Sequence, residues 1–179
     1  KLHIFYYNFP DIGKSGTKTT RSIITKINQL YESYINATDN ILIIINEKIS
    51  ENINQMIDNI NINNRKYLHN LKENIILQKF KEKNMNLNLR HFRNCHIIYI
   101  NSLQINLLEH NYVPKHVLIK DDIVINKILE KCNCKINQLP IISRYDIISK
   151  LFQATPGDIF EIQRKSIKSG DYLYYRICK

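Results

Sequence analysis

Five consecutive branched apolar residues, Ile41-Leu42-Ile43-Ile44-Ile45, end abruptly at Asn46. A short continuous run of this kind marks a strand covered on both faces, and such strands belong to parallel sheets whose crossovers are helical. It is also the longest apolar run in the chain, far short of the roughly 18 to 20 residues that cross a bilayer, so the sequence reads as a soluble protein. Before it, residues 2–9 (LHIFYYNF) end at Pro10, which reads as a strand with a hard stop. From Thr19 to Ile35 the residues Ile23, Ile24, Ile27, Leu30, Tyr31, Tyr34 and Ile35 recur at three- and four-residue spacing, the stripe of an amphipathic helix. Strand, helix, strand predicts a parallel βαβ unit.

Ser50 is placed to cap a short helix carrying Ile53, Met56 and Ile57. A basic, Asn-rich stretch follows over residues 59–94. Between 65 and 93 it holds Arg65, Lys66, Lys72, Lys79, Lys81, Lys83, Arg90 and Arg93 against Glu73 and Glu82, an excess of six positive charges within a chain whose formal net charge is +10. The periodicity predicts a solvated helix over 66–82 with Leu68, Leu71, Ile75 and Ile76 on its apolar side. A wet, charged insertion is the plainer reading and a nucleic-acid contact the sharper one. Ile and Asn are so abundant, 34 and 23 of 179 residues, that A/T-rich codons would produce them unaided. Single Asn and Ile residues therefore carry little weight.

After residue 94 the pattern tightens. HIIYI (96–100), LQINLL (103–108) and HVLI (116–119) read as strands, and DDIVINKILEK reads as a helix with Asp121 and Asp122 at its positive end and Lys131 at its negative end. Asp146 opens a short helix whose Ile147, Ile148, Leu151 and Phe152 share a face. Thr155-Pro156-Gly157-Asp158 has Pro and Gly at the centre of a type II turn. Strands over 159–164 and 172–178 close the chain, joined by a loop containing Gly170. The expected fold class is α/β (α+β overall), a layered sandwich around one mixed sheet.

The chemistry-bearing patterns are weak. Gly13-Lys14-Ser15 follows a strand as a phosphate-binding loop would, but the required Gly five residues before Gly13 is Asn8. His110, His116, Cys132 and Cys134 are possible metal ligands, yet the two Cys are separated by one residue where structural zinc sites use two to four. Four Cys in this length are too sparse for a disulfide scaffold and suit a reducing compartment. No catalytic residues, metal site or cofactor are expected.

EHNYVPKHVLI (109–119), NQLPII (137–142), the helix at Asp146, TPGDIFEIQRKS (155–166) and SGDYLYYRIC (169–178), in this order and spacing, resemble the fifth-largest subunit of eukaryotic-type DNA-directed RNA polymerases and its archaeal counterpart. Residues 2–46 resemble, more loosely, the second part of that family's jaw domain, whose opening helices have no counterpart here. With Lys rather than Met in first place, the resemblance implies a divergent member that is trimmed or incomplete at its N-terminus. It implies a jaw-like βαβ domain over 1–94, with the basic insertion at about 59–94, and a small mixed-sheet assembly domain with flanking helices over 95–179. The family positions carried over are His110, Val113, Pro114, His116, Leu139, Pro140, Gly157, Arg164, Ser166, Gly170, Tyr172, Tyr175 and Arg176, all as assembly and folding positions. The family's usual Asp-Pro-Val is Asp146-Ile147-Ile148 here, and its Ser-Glu-Thr is Ser166-Ile167-Lys168.

The resemblance further implies a non-catalytic polymerase subunit acting in transcription. Its partners are the largest subunit, other polymerase subunits and, weakly and non-specifically, downstream DNA; Lys79, Lys81 and Lys83 are offered for that contact by the local excess of positive charge and not by the resemblance, because the family lacks a 59–94 stretch of comparable length. No membrane and no small-molecule substrate are expected. Exposed Tyr172, Tyr174 and Arg176 are the expected docking groups. The compartment is the nucleus, or the virion or host cytoplasm if a virus encodes the chain. The alternatives are a free-standing basic nucleic-acid-binding protein and a small nucleotide-handling enzyme using Gly13 to Ser15.

Overall fold

The computed structural model describes residues 1–7, 22–36, 38–70, 89–168 and 170–179. They form two compact units, the first ending at Gln104 and the second running from Ile105 to Lys179 among the described residues.

In the first unit β1 (Leu2–Tyr7), α1 (Ser22–Ser33), β2 (Asn40–Ile45), α2 (Glu51–Asn70) and β3 (Cys95–Tyr99) build a three-stranded sheet in the order β1-β2-β3. Both pairings are parallel, with Leu2 opposite Asn40 and Ile41 opposite Cys95. The Ile41–Ile45 run is the central strand, and all five residues are buried. Ile41, Ile43 and Ile45 pack with Ile27 and Tyr31 of α1 and with Ile53, Ile57 and Ile60 of α2. Tyr34, the first residue after α1, departs from the expected stripe and is 82% exposed, whereas Ile35 remains buried.

The short helix after Ser50 and the helix over 66–82 are, within the described residues, one 20-residue helix, α2. The Ser50 hydroxyl accepts from the Ile53 amide at 3.4 Å, and the stretch holds no Pro or Gly to break it. Its buried stripe is Ile53, Ile57, Ile60, Asn64 and Leu68. An Asn in the middle of that stripe disguises its continuity. Leu71, Ile75 and Ile76 lie outside the described residues.

The strand beginning at Cys95 hydrogen-bonds to β2 and so completes the first sheet; the units divide ten residues beyond the 94/95 boundary. The expected strand over 103–108 is instead two short 3-10 turns, Ile100–Leu103 and Leu107–Glu109. The Asn106 side chain accepts from the Leu108 amide at 3.3 Å, a local bond that competes with strand pairing.

The second unit holds β4 (Lys115–Ile119), α3 (Asp122–Lys131), β5 (Ile141–Ile142), α4 (Ile147–Leu151), β6 (Ile159–Ser166) and β7 (Gly170–Cys178). Its sheet runs β4-β6-β7-β5, antiparallel except for the parallel β5/β7 pair. Among the described residues the fold is thus α/β with two sheets rather than one: β4 pairs with β6 and does not extend the parallel sheet. The Asp121 and Asp146 carboxylates cap α3 and α4, each accepting an amide at 2.8 Å. Ile125 and Leu139 cover one face of the sheet over Ile159 and Ile177, while Ile148, Phe152 and Val113 cover the other over Phe160 and Ile162.

Candidate assembly surface

The Thr155–Asp158 turn ties α4 to the end of β7. The Asp158 amide donates to the Thr155 carbonyl at 3.0 Å and Gly157 sits at φ +100°, the geometry of a type II turn. The wholly buried Asp158 carboxylate accepts from the Thr155 amide at 2.9 Å and the Thr155 hydroxyl at 3.0 Å. Two further backbone bonds, Gly157 amide to Cys178 carbonyl and Cys178 amide to Asp158 carbonyl, fasten the turn to the strand. Lys120 reaches the same region, its ammonium donating to the Gln153 carbonyl at 3.3 Å; burial lowers its pKa.

The family positions divide over the sheet. Leu139 is buried beneath α3, and the Pro140 carbonyl accepts from the Ile177 amide at 2.9 Å. On that face the Tyr175 hydroxyl donates to the Glu161 carboxylate at 3.1 Å. Burial first, then that carboxylate, raises the phenol pKa. On the opposite face Val113 packs into the core, the His116 ring meets the Phe160 ring edge-on at 6.0 Å, and His116 Nδ1 lies 2.6 Å from the Pro114 carbonyl. His110 is exposed, with its ring 5.7 Å from that of Tyr112. The Arg164 guanidinium stacks 4.3 Å from the centre of the Tyr174 ring and Arg176 lies 5.5 Å from it, so one aromatic ring holds two cations. Arg176 also donates to the Ile141 carbonyl at 3.4 Å. Ser166 and Gly170 close the β6/β7 hairpin opposite one another, with Gly170 at φ +66°.

Of the three expected docking groups, Tyr172 is exposed. Tyr174 instead packs against the core beside Ile162, and Arg176 is half-buried. The structure draws Arg164 and Tyr172 together with Tyr112, Pro114, Lys115 and Lys165 around a cleft of about 1080 Å³. Tyr112, 91% exposed, is the contributor that the sequence does not announce. It stands at a variable position of the His-x-x-Val-Pro-x-His stretch, so motif spacing gives no signal for it.

Elsewhere the chemistry stays dispersed. His116 and Cys134 lie against opposite faces of the second sheet, and among the described residues no group of three or more His, Cys, Asp or Glu is placed to hold a metal. All four cysteines are free thiols, with Cys95 and Cys178 buried. No helix of the described residues is long and apolar enough to cross a membrane. Gly13 to Ser15, Lys72, Lys79, Lys81 and Lys83 lie outside the described residues. Arg93 belongs to the fold: its guanidinium lies 4.0 and 4.3 Å from the Tyr31 and Tyr67 ring centres, and its Nε donates to the Asn64 side chain at 2.8 Å.

A family model described as RNA polymerase Rpb5, C-terminal domain, matches residues 105–178, which is the second unit almost end to end. Curated relatives carry the name DNA-directed RNA polymerase subunit Rpo5. The protein of Aeropyrum pernix is 44% identical over 70 residues, covering 39% of this chain and 77% of the relative. Those of Sulfurisphaera tokodaii and Methanosphaera stadtmanae are 42% and 31% identical, covering 41% and 43% of this chain and 87% and 99% of the relatives.

Proposed function

The chain belongs to the Rpb5 family of RNA polymerase subunits, and from that premise we propose that it is a non-catalytic subunit of a DNA-dependent RNA polymerase. In this reading its second unit docks on the largest subunit and its first unit lies near downstream DNA. The observation that carries the proposal is that the family match takes in the whole of one folded unit, from the turn at Leu107 through β7. The Methanosphaera stadtmanae relative, matched over 99% of its own length, corresponds to little more than this unit. Residues 1–104 lie outside the family match.

The first unit has a parallel sheet backed by helices on one face. A subunit in this role works in the compartment of its polymerase: the nucleus, or the virion or host cytoplasm for a viral enzyme.

Affinity purification of the tagged full chain from its native cell, with nuclease treatment before elution, tests the proposal. The two largest polymerase subunits should remain bound in stoichiometric amount, as read by mass spectrometry of the eluate. A chain that elutes alone after nuclease, having co-purified with nucleic acid before it, is a free-standing binding protein and overturns the assignment.

A further inference from the structure

The strands of the second sheet differ greatly in length. β6 and β7 run for eight and nine residues, whereas β4 has five and β5 two. β4 begins opposite Gln163, and β5 pairs only with Ile177 and Cys178. From Arg164 to Ser166 and from Gly170 to Leu173 the hairpin is therefore a two-stranded ribbon with no strand on either side among the described residues. Such a ribbon is marginal by itself and presents unpaired peptide groups along both edges.

Its side chains are unbalanced in charge. Lys115, Arg164, Lys165 and Lys168 surround it against one carboxylate, Asp171. Lys165 and Asp171 stand in register across the hairpin, yet no ion pair joins them or engages Lys115 or Arg164 among the described residues. Arg164 lies over the Tyr174 ring rather than beside a carboxylate. Apolar surface accompanies the charge: Tyr112, Ile167, Tyr172 and Leu173 are all exposed.

We propose that this ribbon and the cleft beside it seat an extended acidic segment of another polymerase subunit, which lies along the free edge of β6 with its carboxylates at Arg164, Lys165 and Lys115. The proposal rests on the subunit reading above and deepens it by naming the surface and the chemistry of the occupant. Charge complementarity selects an acidic partner, the unpaired edge selects an extended one, and the exposed Tyr112, Tyr172 and Leu173 supply apolar contact at the centre of the seat.

The experiment uses the full chain carrying a photo-crosslinking p-benzoylphenylalanine at Leu173, co-expressed with the polymerase's other subunits, alongside the double variant Arg164→Glu/Lys165→Glu without the crosslinker. We expect the crosslink to map to a polymerase segment rich in Asp and Glu, and retention of the double variant to fall at least about tenfold relative to the parent. Lys127→Glu, an exposed change on α3, should leave retention unchanged. A thermal melt of the double variant establishes that it is folded, and the crosslink to Leu173 tests the seat with both basic residues intact.

If the parent assembles but the crosslink maps to nucleic acid, to a second copy of this chain or to a segment without carboxylates, the seat is wrong and the subunit reading stands. The same holds if the folded double variant is retained as well as the parent. A parent that joins no polymerase overturns both.

Discussion

Asn61 offers the sharpest test of the packing. From α2 its side-chain amide meets the first residue of β3 on both polar atoms: Asn61 Nδ2 donates to the Cys95 carbonyl at 3.0 Å and the Cys95 amide donates to Asn61 Oδ1 at 2.8 Å. The pair imitates the peptide of a neighbouring strand on the side of β3 away from β2. Cys95 has no exposed surface while Asn61 itself is half-buried, so water entering the vacated space offsets only part of the lost pairing. Asn61→Ala leaves a buried donor and a buried acceptor unpaired, each costing about 1–3 kcal/mol, and the expected loss is about 2–4 kcal/mol. In a unit of this size each kcal/mol corresponds to roughly 4–8 °C of melting temperature. The transition of the first unit should therefore drop by at least about 8 °C, with earlier hydrogen exchange at the Cys95 amide. Calorimetry and exchange mass spectrometry read the two effects. Asn59→Ala, an exposed change on the same helix, should stay within about 0.5 kcal/mol of the parent. If Asn61→Ala melts with the parent and Cys95 exchanges no faster, the clamp contributes nothing and the reasoning fails.

Gly157→Val places a branched side chain at φ +100° and should cost about 1–3 kcal/mol; an unchanged melt would remove the turn from the folding determinants. Burial pushes the Cys95 and Cys178 thiols up to about 12 from an ordinary 9.0. The folded state thus keeps protons that the unfolded state releases, and stability should fall as pH rises from about 9 towards 12. A Cys95→Val/Cys178→Val variant should show a shallower fall in urea midpoint over that window, whereas equal slopes would assign the effect to other groups. Neutralising Lys79, Lys81 and Lys83 together should reduce the salt slope of DNA binding by up to about 3 if all three meet phosphates; an unchanged slope, read by fluorescence anisotropy, would mark the stretch as a solvated insertion.

The central strand and the βαβ order are legible because a run of branched apolar residues admits few environments, and the caps at Asp121 and Asp146 because their chemistry is local. The Asn residues are not legible. Composition makes them look like codon noise, yet Asn61 and Asn64 bind Cys95 and Arg93, and Asn40 donates to the His91 carbonyl at 3.2 Å while accepting from the Asn94 amide at 2.9 Å. Nothing in a single sequence separates an Asn that faces an open strand edge from one that faces water. Arg93 misleads for a related reason: positive charge suggests phosphate, but two tyrosine rings and Asn64 already occupy its guanidinium. In the second unit the motif positions can be named without knowing that a two-residue β5 leaves the hairpin bare, because strand pairing is a property of separated segments.

That separation also governs the order in which the chain can fold. β6 and β7 meet through a tight hairpin, with Ser166 opposite Gly170, so their contacts form after closing only a few residues. β2 and β3 are joined by contacts such as Asn40 to Asn94, 54 residues apart, and that loop must close before any of its parallel hydrogen bonds is made. Local contacts form quickly and distant parallel ones slowly. Although it follows the first sheet along the chain, the hairpin is able to organise before it. The price of a long connection grows only with the logarithm of its length, about 0.6 kcal/mol per doubling, so the segment between α2 and β3 is free to lengthen or shorten over evolution while the first sheet keeps its register.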